Sequence, residues 1–194
     1  MNSFENWFCA SWFWRFVTRR QLLPWILSGS QLGEHVLELG AGPGATTHVL
    51  RSLAGRVTSL EYDHSFAADL SARVRDTNVQ VLQGDAAALP FPDATFSSAI
   101  AVLVLHHLKS SELQDRAFAE IRRVLRPGGV FFAFEIQDGW MHRVGHTLST
   151  FVPLAPGSAN ARLHAAGFSR VTVDLRRGGF RMRALRPREE TDAS

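Results

Sequence analysis

The stretch from Val36 to Gly44, VLELGAGPG, constrains this chain more than any other. An apolar run around one acidic residue, Glu38, passes directly into Gly40, Gly42 and Gly44 at alternate positions. Such a run reads as a strand feeding a tight turn and then a helix, expected over Ala45–Leu53. Residues without a Cβ turn at positive φ and let the backbone approach a ligand closely. The free N–H groups of the following helix welcome a carboxylate or phosphate, so a nucleotide-like cofactor is the first implication.

Downstream, strands and helices alternate. Strands are expected at Arg56–Glu61, Asn78–Gln83, Ser97–Leu105 and Val130–Ile136, and helices at Ser65–Val74 and Glu112–Leu125, the last stopped by Arg126-Pro127-Gly128-Gly129. Continuous apolar strands between helices imply a parallel sheet covered on both faces. The rhythm breaks after Asp138. A short helix at Ser158–Ala166 precedes two strands, Ser169–Leu175 and Phe180–Leu185, and the few residues between them allow only a hairpin. The expected fold is α/β: a doubly wound, Rossmann-like, mostly parallel seven-stranded sheet with an antiparallel last strand.

At 194 residues the chain has the length of one domain. We expect residues 31–194 to form it and residues 1–30 to add an N-terminal helical segment covering the cleft. Residues 4–27 hold every tryptophan except Trp140, with Phe8, Trp12 and Phe16 at helical spacing. Arg15, Arg19 and Arg20 interrupt the segment, so it falls short of the ~18 apolar residues of a spanning helix. No signal-peptide pattern is read there. Packing over the cleft and peripheral membrane contact both suit such a helix. The single cysteine, Cys9, excludes an internal disulfide framework and fits a reducing, cytoplasmic setting. Arg176, Arg177, Arg181, Arg183, Arg186 and Arg188 make the C-terminal edge basic, either to attract an anionic partner or as a solvated face.

The glycine loop alone admits a nicotinamide cofactor, because Gly40, Gly42 and Ala45 fit G-x-G-x-x-[GA] and Glu61 lies 21 residues beyond Gly40. Glu38, however, would oppose a pyrophosphate and suits a cofactor bearing an ammonium group. Asp85 follows the third strand, placed to accept from an adenine amino group.

Taken in order, VLELGAGPG, Glu61, GDAAALPFPDATF, VLVLHH and VLRPGGVF resemble the class I S-adenosylmethionine-dependent methyltransferases, in the small-molecule branch around the quinone-biosynthesis enzymes. The resemblance covers Gly33 to about Leu185. It implies that Gly40, Gly42, Gly44 and Ala101 line the methionine part of S-adenosylmethionine, with Glu38 near its amino group. Glu61 would hold the ribose hydroxyls, Tyr62 would lie beside the adenine, and Asp85 and Ala86 would bind the adenine edge. S-adenosylhomocysteine would be the product. One departure is Ser97, where the family usually has Asp, at the strand start away from the cofactor.

The reaction implied is an in-line displacement of methyl onto a small apolar, aromatic or lipid-like acceptor. A base is needed only if the acceptor must lose a proton. Of His106, His107, His142 and His146, His106 is the preferred candidate, since it follows the strand whose end faces the cleft. Glu135, at the end of the fifth strand beside the cleft, is the alternative, as a group that orients the acceptor. His142 and His146 are one helical turn apart, but without a third ligand no metal is expected. The expected partner is a small-molecule acceptor, not nucleic acid; a homodimer and membrane contact through residues 4–27 stay open. The alternatives are a nicotinamide oxidoreductase and a non-catalytic, cofactor-binding docking module.

Overall fold

A computed structural model describes residues 12–137, 152–176 and 178–188. His142, His146, Cys9 and the aromatic residues Trp140 and Phe151 lie outside them.

Seven strands form one sheet: β1 (His35–Leu39), β2 (Arg56–Glu61), β3 (Val79–Gln83), β4 (Phe96–Val102), β5 (Leu125–Ile136), β6 (Ser169–Arg176) and β7 (Gly179–Leu185). Their order is β3-β2-β1-β4-β5-β7-β6. The first five strands pair in parallel, and β7 runs antiparallel to both β5 and β6. The expected fold class is therefore the observed one. The antiparallel strand lies inside the sheet, with β6 at the edge, because the short β6–β7 hairpin folds back between β5 and β6.

The sheet carries a core on each face, set by the strand period of two. Leu37, Leu39, Phe96, Ala99, Ala101, Phe131 and Ala133 face one core, capped by α5 (Ser111–Val124) and α6 (Pro156–Ala165). On α5, Ala117, Phe118, Ile121 and Val124 make the buried stripe, and Ser110 caps the helix by accepting from the Leu113 N–H. Val36, Val57, Ile100 and Phe132 face the other core. It is covered by α3 (Thr47–Leu50), α4 (His64–Arg73) and the N-terminal helix. That helix comprises α1 (Trp12–Val17), a π-helical turn (Thr18–Leu22) and α2 (Leu23–Leu27). The wider turn sits just before Pro24, which has no N–H to donate.

Leu23 and Ile26 of α2 are buried in this second core. Trp25 meets Phe134 edge-on at 5.9 Å, and the guanidinium groups of Arg176 and Arg181 lie 5.5 and 5.2 Å from its ring centre. The last part of the N-terminal segment, α2, is thus packed on the sheet.

Three local expectations change. The helix after the glycine loop is only Thr47–Leu50, since the loop's turns continue to Thr46. Strand β4 stops at Val102, where Leu103 takes φ +60° and a 3₁₀ turn, Leu105–His107, begins. Arg126–Gly129 does not precede β5 but lies within it. The pairing slips there, from Phe96 with Leu125 to Ser98 with Val130, so the extra residues bulge out while the strand continues.

Phe131 is fully buried between strand and helices, packed edge-on to Phe118 at 6.3 Å. Phe131→Ala should cost about 3–5 kcal/mol of stability, read as a lower urea midpoint with an unchanged slope.

Candidate active site

The strand order reverses between β1 and β4, so a crevice opens beyond the C-terminal ends of these strands, where α/β sheets of this kind take ligands. The glycine loop leaves β1 at this point.

Glu38 is 2% exposed and faces the core under the helical layer, opposite Ser59 in register on β2. The hydroxyls of Ser59 and Thr47 both donate to its Oε2, each at 2.6 Å. Its other oxygen, Oε1, is buried with no hydrogen-bond partner among the described residues. Burial, aided by the charge of Glu61 and opposed by the two hydroxyl donors, pushes the carboxyl up to about 7. An acidic oxygen left open in the core is costly unless something else donates to it.

The loop itself is shaped by close contact. A Cβ on Gly40, at φ +63°, would fall 2.5 Å from Val104 Cγ2, so only glycine fits beneath that side chain. At Gly42, φ +49°, a Cβ would meet nothing within 4 Å: this glycine presents its bare face to open space. Gly44 packs against Leu70. Glu61, 8% exposed at the tip of β2, reaches back to the loop. Its Oε2 accepts from the Gly42 N–H at 2.7 Å and its Oε1 from the Asp63 N–H at 2.9 Å. Each oxygen keeps a second lone pair for a ligand hydroxyl.

Tyr62, next along, is exposed. Asp85 closes a turn after β3 by accepting from the Ala87 N–H at 2.8 Å, with Ala86 half-buried beside it. Ala101 is fully buried in the ladder between Leu39 and Ala133, so the residues at the strand tip are Val102 and Leu103.

Across the crevice a second buried carboxylate, Glu135, is 1% exposed on β5. Its Oε1 accepts from the N–H groups of Val104 and Leu105 at 2.9 and 2.7 Å, and its Oε2 lies 2.5 Å from His106 Nδ1. His106 is itself 3% exposed, while His107 is half-buried with its ring centre 4.1 Å away and tilted by 44°. The His106 carbonyl accepts from the Val152 N–H at 2.8 Å, where the chain returns from residues 138–151. Ser97 lies at the other end of the sheet, bonded to the His35 N–H at 3.0 Å.

Thr47 and Ser59, the donors to Glu38, were not anticipated from the sequence. The available signal was a pair of hydroxyl residues, Thr58-Ser59, inside an otherwise apolar buried strand.

A buried carboxylate with one open oxygen, a bare glycine face and a second carboxylate at the tip of β2 suit a ligand with an ammonium group and a ribose. Together with the sheet order they define the class of S-adenosylmethionine-dependent methyltransferases. The chain belongs to the methyltransferase domain family, whose model matches residues 37–133. A probable S-adenosylmethionine-dependent methyltransferase of Mycolicibacterium smegmatis is 38% identical over 99 residues, covering 51% of this chain and 37% of that protein. A probable ribosomal RNA small subunit methyltransferase A of Haloarcula marismortui is 40% identical over 95 residues, 47% of this chain and 32% of that one. A ubiquinone/menaquinone biosynthesis C-methyltransferase of Teredinibacter turnerae is 33% identical over 116 residues, 56% of this chain and 45% of that one. The chain thus spans less than half the length of each of these relatives. The solved SAM-dependent methyltransferase of Methanosarcina mazei shares the fold, with a TM-score of 0.71 at 19% identity, over 86% of this chain and 98% of that one.

Between the ordinary carboxyl value of 4.5 and about 7, folded Glu38 keeps a proton that the unfolded chain has released. Its ionisation therefore removes stability as pH rises through that window. Glu38→Gln should gain stability relative to wild type from about pH 5 to about pH 8, then run parallel to it. Thermal melts of both proteins across that range check this; a constant difference would contradict it.

Proposed function

We propose that this chain transfers a methyl group from S-adenosylmethionine to a small apolar, aromatic or lipid-like acceptor by in-line displacement. The observation that carries the cofactor assignment is the buried, unpartnered Oε1 of Glu38 on the strand that feeds a loop with a bare face at Gly42. When bound, S-adenosylmethionine supplies an electrophilic methyl group on a sulfonium centre. In this reading Glu38 Oε1 receives the ammonium group, and the loop at Gly40, Gly42 and Gly44 passes along the methionine part with the tip of β4 beyond Ala101. Glu61 holds the ribose hydroxyls, Tyr62 lies beside the adenine, and Asp85 and Ala86 take its edge. The same Glu38 carboxylate argues against a dinucleotide, since its charge would repel a pyrophosphate at that loop.

Where the acceptor must lose a proton, the reading assigns proton transfer to His106. Glu135 holds Nδ1, which favours the tautomer with the proton there and makes Nε2 the accepting nitrogen, the logic by which a buried acid orients a catalytic histidine. Orientation of the acceptor supplies the rest of the rate enhancement.

Two observations favour a small apolar acceptor. One relative is a quinone-biosynthesis C-methyltransferase. The sequence between Ile136 and Val152, both anchored at the crevice, carries Trp140 and Phe151. The ribosomal RNA methyltransferase relative supports nucleic acid as a second reading. Against it, two of the C-terminal arginines are engaged within the fold: Arg181 pairs with Asp174 at 2.9 Å and Arg186 bonds the carbonyls of Arg122 and Arg123. No helix among the described residues is long and apolar enough to cross a membrane.

Titration calorimetry with S-adenosylhomocysteine tests the cofactor. Wild type should bind and Glu61→Ala, still folded by circular dichroism, should lose at least about a hundredfold in affinity through two charge-assisted hydrogen bonds. Saturable binding of NADH in place of S-adenosylhomocysteine would overturn the reading. Because an ammonium group favours ionised Glu38, affinity for S-adenosylhomocysteine should rise with pH up to about 7 and then level off. That rise should be absent in Glu38→Gln.

A further inference from the structure

Behind the glycine loop, a cavity of about 220 Å³ opens between the N-terminal helix, α3 and α4. Four basic side chains line it: Arg15 from α1, His48 and Arg51 from the region of α3, and Arg73 from α4. Gly44 and Thr47 contribute the loop side of its wall, and no carboxylate is among the lining residues. Arg73 donates only to main-chain carbonyls, those of Asp69 and Pro43, at 3.3 and 3.0 Å. Among the described residues, neither Arg15 nor Arg51 forms an ion pair. By contrast, Arg123, Arg162 and Arg181 each meet a carboxylate. Clustered, concave positive charge without a counter-charge raises the local concentration of anions.

The number and type of donors narrow the anion. Guanidinium groups present planar forks that match phosphate oxygens, and three arginines with a histidine exceed what one carboxylate can satisfy. We propose that this cavity is a binding subsite for a phosphate group, carried by a small phosphorylated molecule or by a lipid headgroup, and that its occupancy is coupled to the cofactor site through Thr47. The coupling has a direct route. Thr47 lines the cavity and its hydroxyl holds Glu38, so an anion that fixes α3 also fixes the donor that orients the buried carboxylate. The phosphate site itself does not need the cofactor assignment; the coupling rests on it.

His48 is the reporter. Burial and the positive charges of Arg51, on the residue capping its own helix, and of Arg15 and Arg19, on the N-terminal helix, hold its pKa below the ordinary value, while Arg73 shares the cavity from α4. A bound phosphate cancels that field and raises the His48 pKa.

The experiment is an NMR pH titration of the histidine rings in the full chain, with His48 assigned by His48→Gln, at fixed ionic strength. Inorganic phosphate and pyrophosphate are added separately. The expected result is a saturable upward shift of the His48 pKa. Arg51→Gln/Arg73→Gln should weaken phosphate binding by about tenfold or more and retain S-adenosylhomocysteine binding as a check of the fold. Flotation with phosphatidic acid vesicles, against phosphatidylcholine vesicles, separates the sources. Recruitment lost in the double variant assigns a lipid headgroup; phosphate binding without recruitment assigns a small phosphorylated ligand. A His48 response that fails to saturate, matches that to chloride, or persists in the double variant overturns the proposal. If phosphate binds but leaves S-adenosylhomocysteine affinity unchanged, the coupling through Thr47 falls.

Discussion

The carboxylate of Glu38 is the interaction on which the rest of this structure depends. It is buried on β1, and its Oε2 takes hydroxyl donors from β2 and from α3 at the same distance. A charge-bearing group in the core is tolerated only with such partners, so they must arrive together. Satisfying it therefore fixes the register of β1 on β2, sets the seat of α3, and fixes both ends of the loop between them. The glycine loop is the span left over between two anchored ends, which is why its backbone can adopt positive φ without fraying.

A second buried carboxylate does a parallel job across the switch point, with the opposite outcome. Glu135 has both oxygens engaged, one by the Val104 and Leu105 N–H groups and one by His106. It ends β4 early and forces the chain into the 3₁₀ turn that carries the two histidines. Val104, held there, in turn forms the wall against which Gly40 packs. The two acids thus meet at the loop, but only Glu38 keeps an oxygen without a partner. That difference sets Glu38, with one oxygen open, apart from Glu135, which holds His106 in place.

Charge follows the same division between engaged and unengaged groups. The arginines crowding the end of the chain look like a binding surface in the sequence, yet Arg181 and Arg186 are used to hold α2 and the α5–β5 junction to β7. Arg15 and Arg51, which meet no carboxylate among the described residues, lie elsewhere, around the cavity behind the glycine loop. A count of basic residues along the chain cannot separate these cases, because the partners are distant in sequence.

Much of the fold was legible from the chain alone. Period-two apolar strands, the glycine turn and the short hairpin linker are local features, and local sterics and burial determine them within a few residues. Glu38, Glu61 and the three glycines could be named for the same reason: an acid within an apolar strand and glycines at alternate positions of a turn stand out in the local pattern. Tertiary structure alone decided the partners. Ser59 lies opposite Glu38 only through strand register, Thr47 reaches it only when α3 docks, and Glu135 captures His106 only because β5 lies beside β4. Each is a contact between residues far apart in sequence, and no local pattern encodes which buried acid will be saturated and which left open.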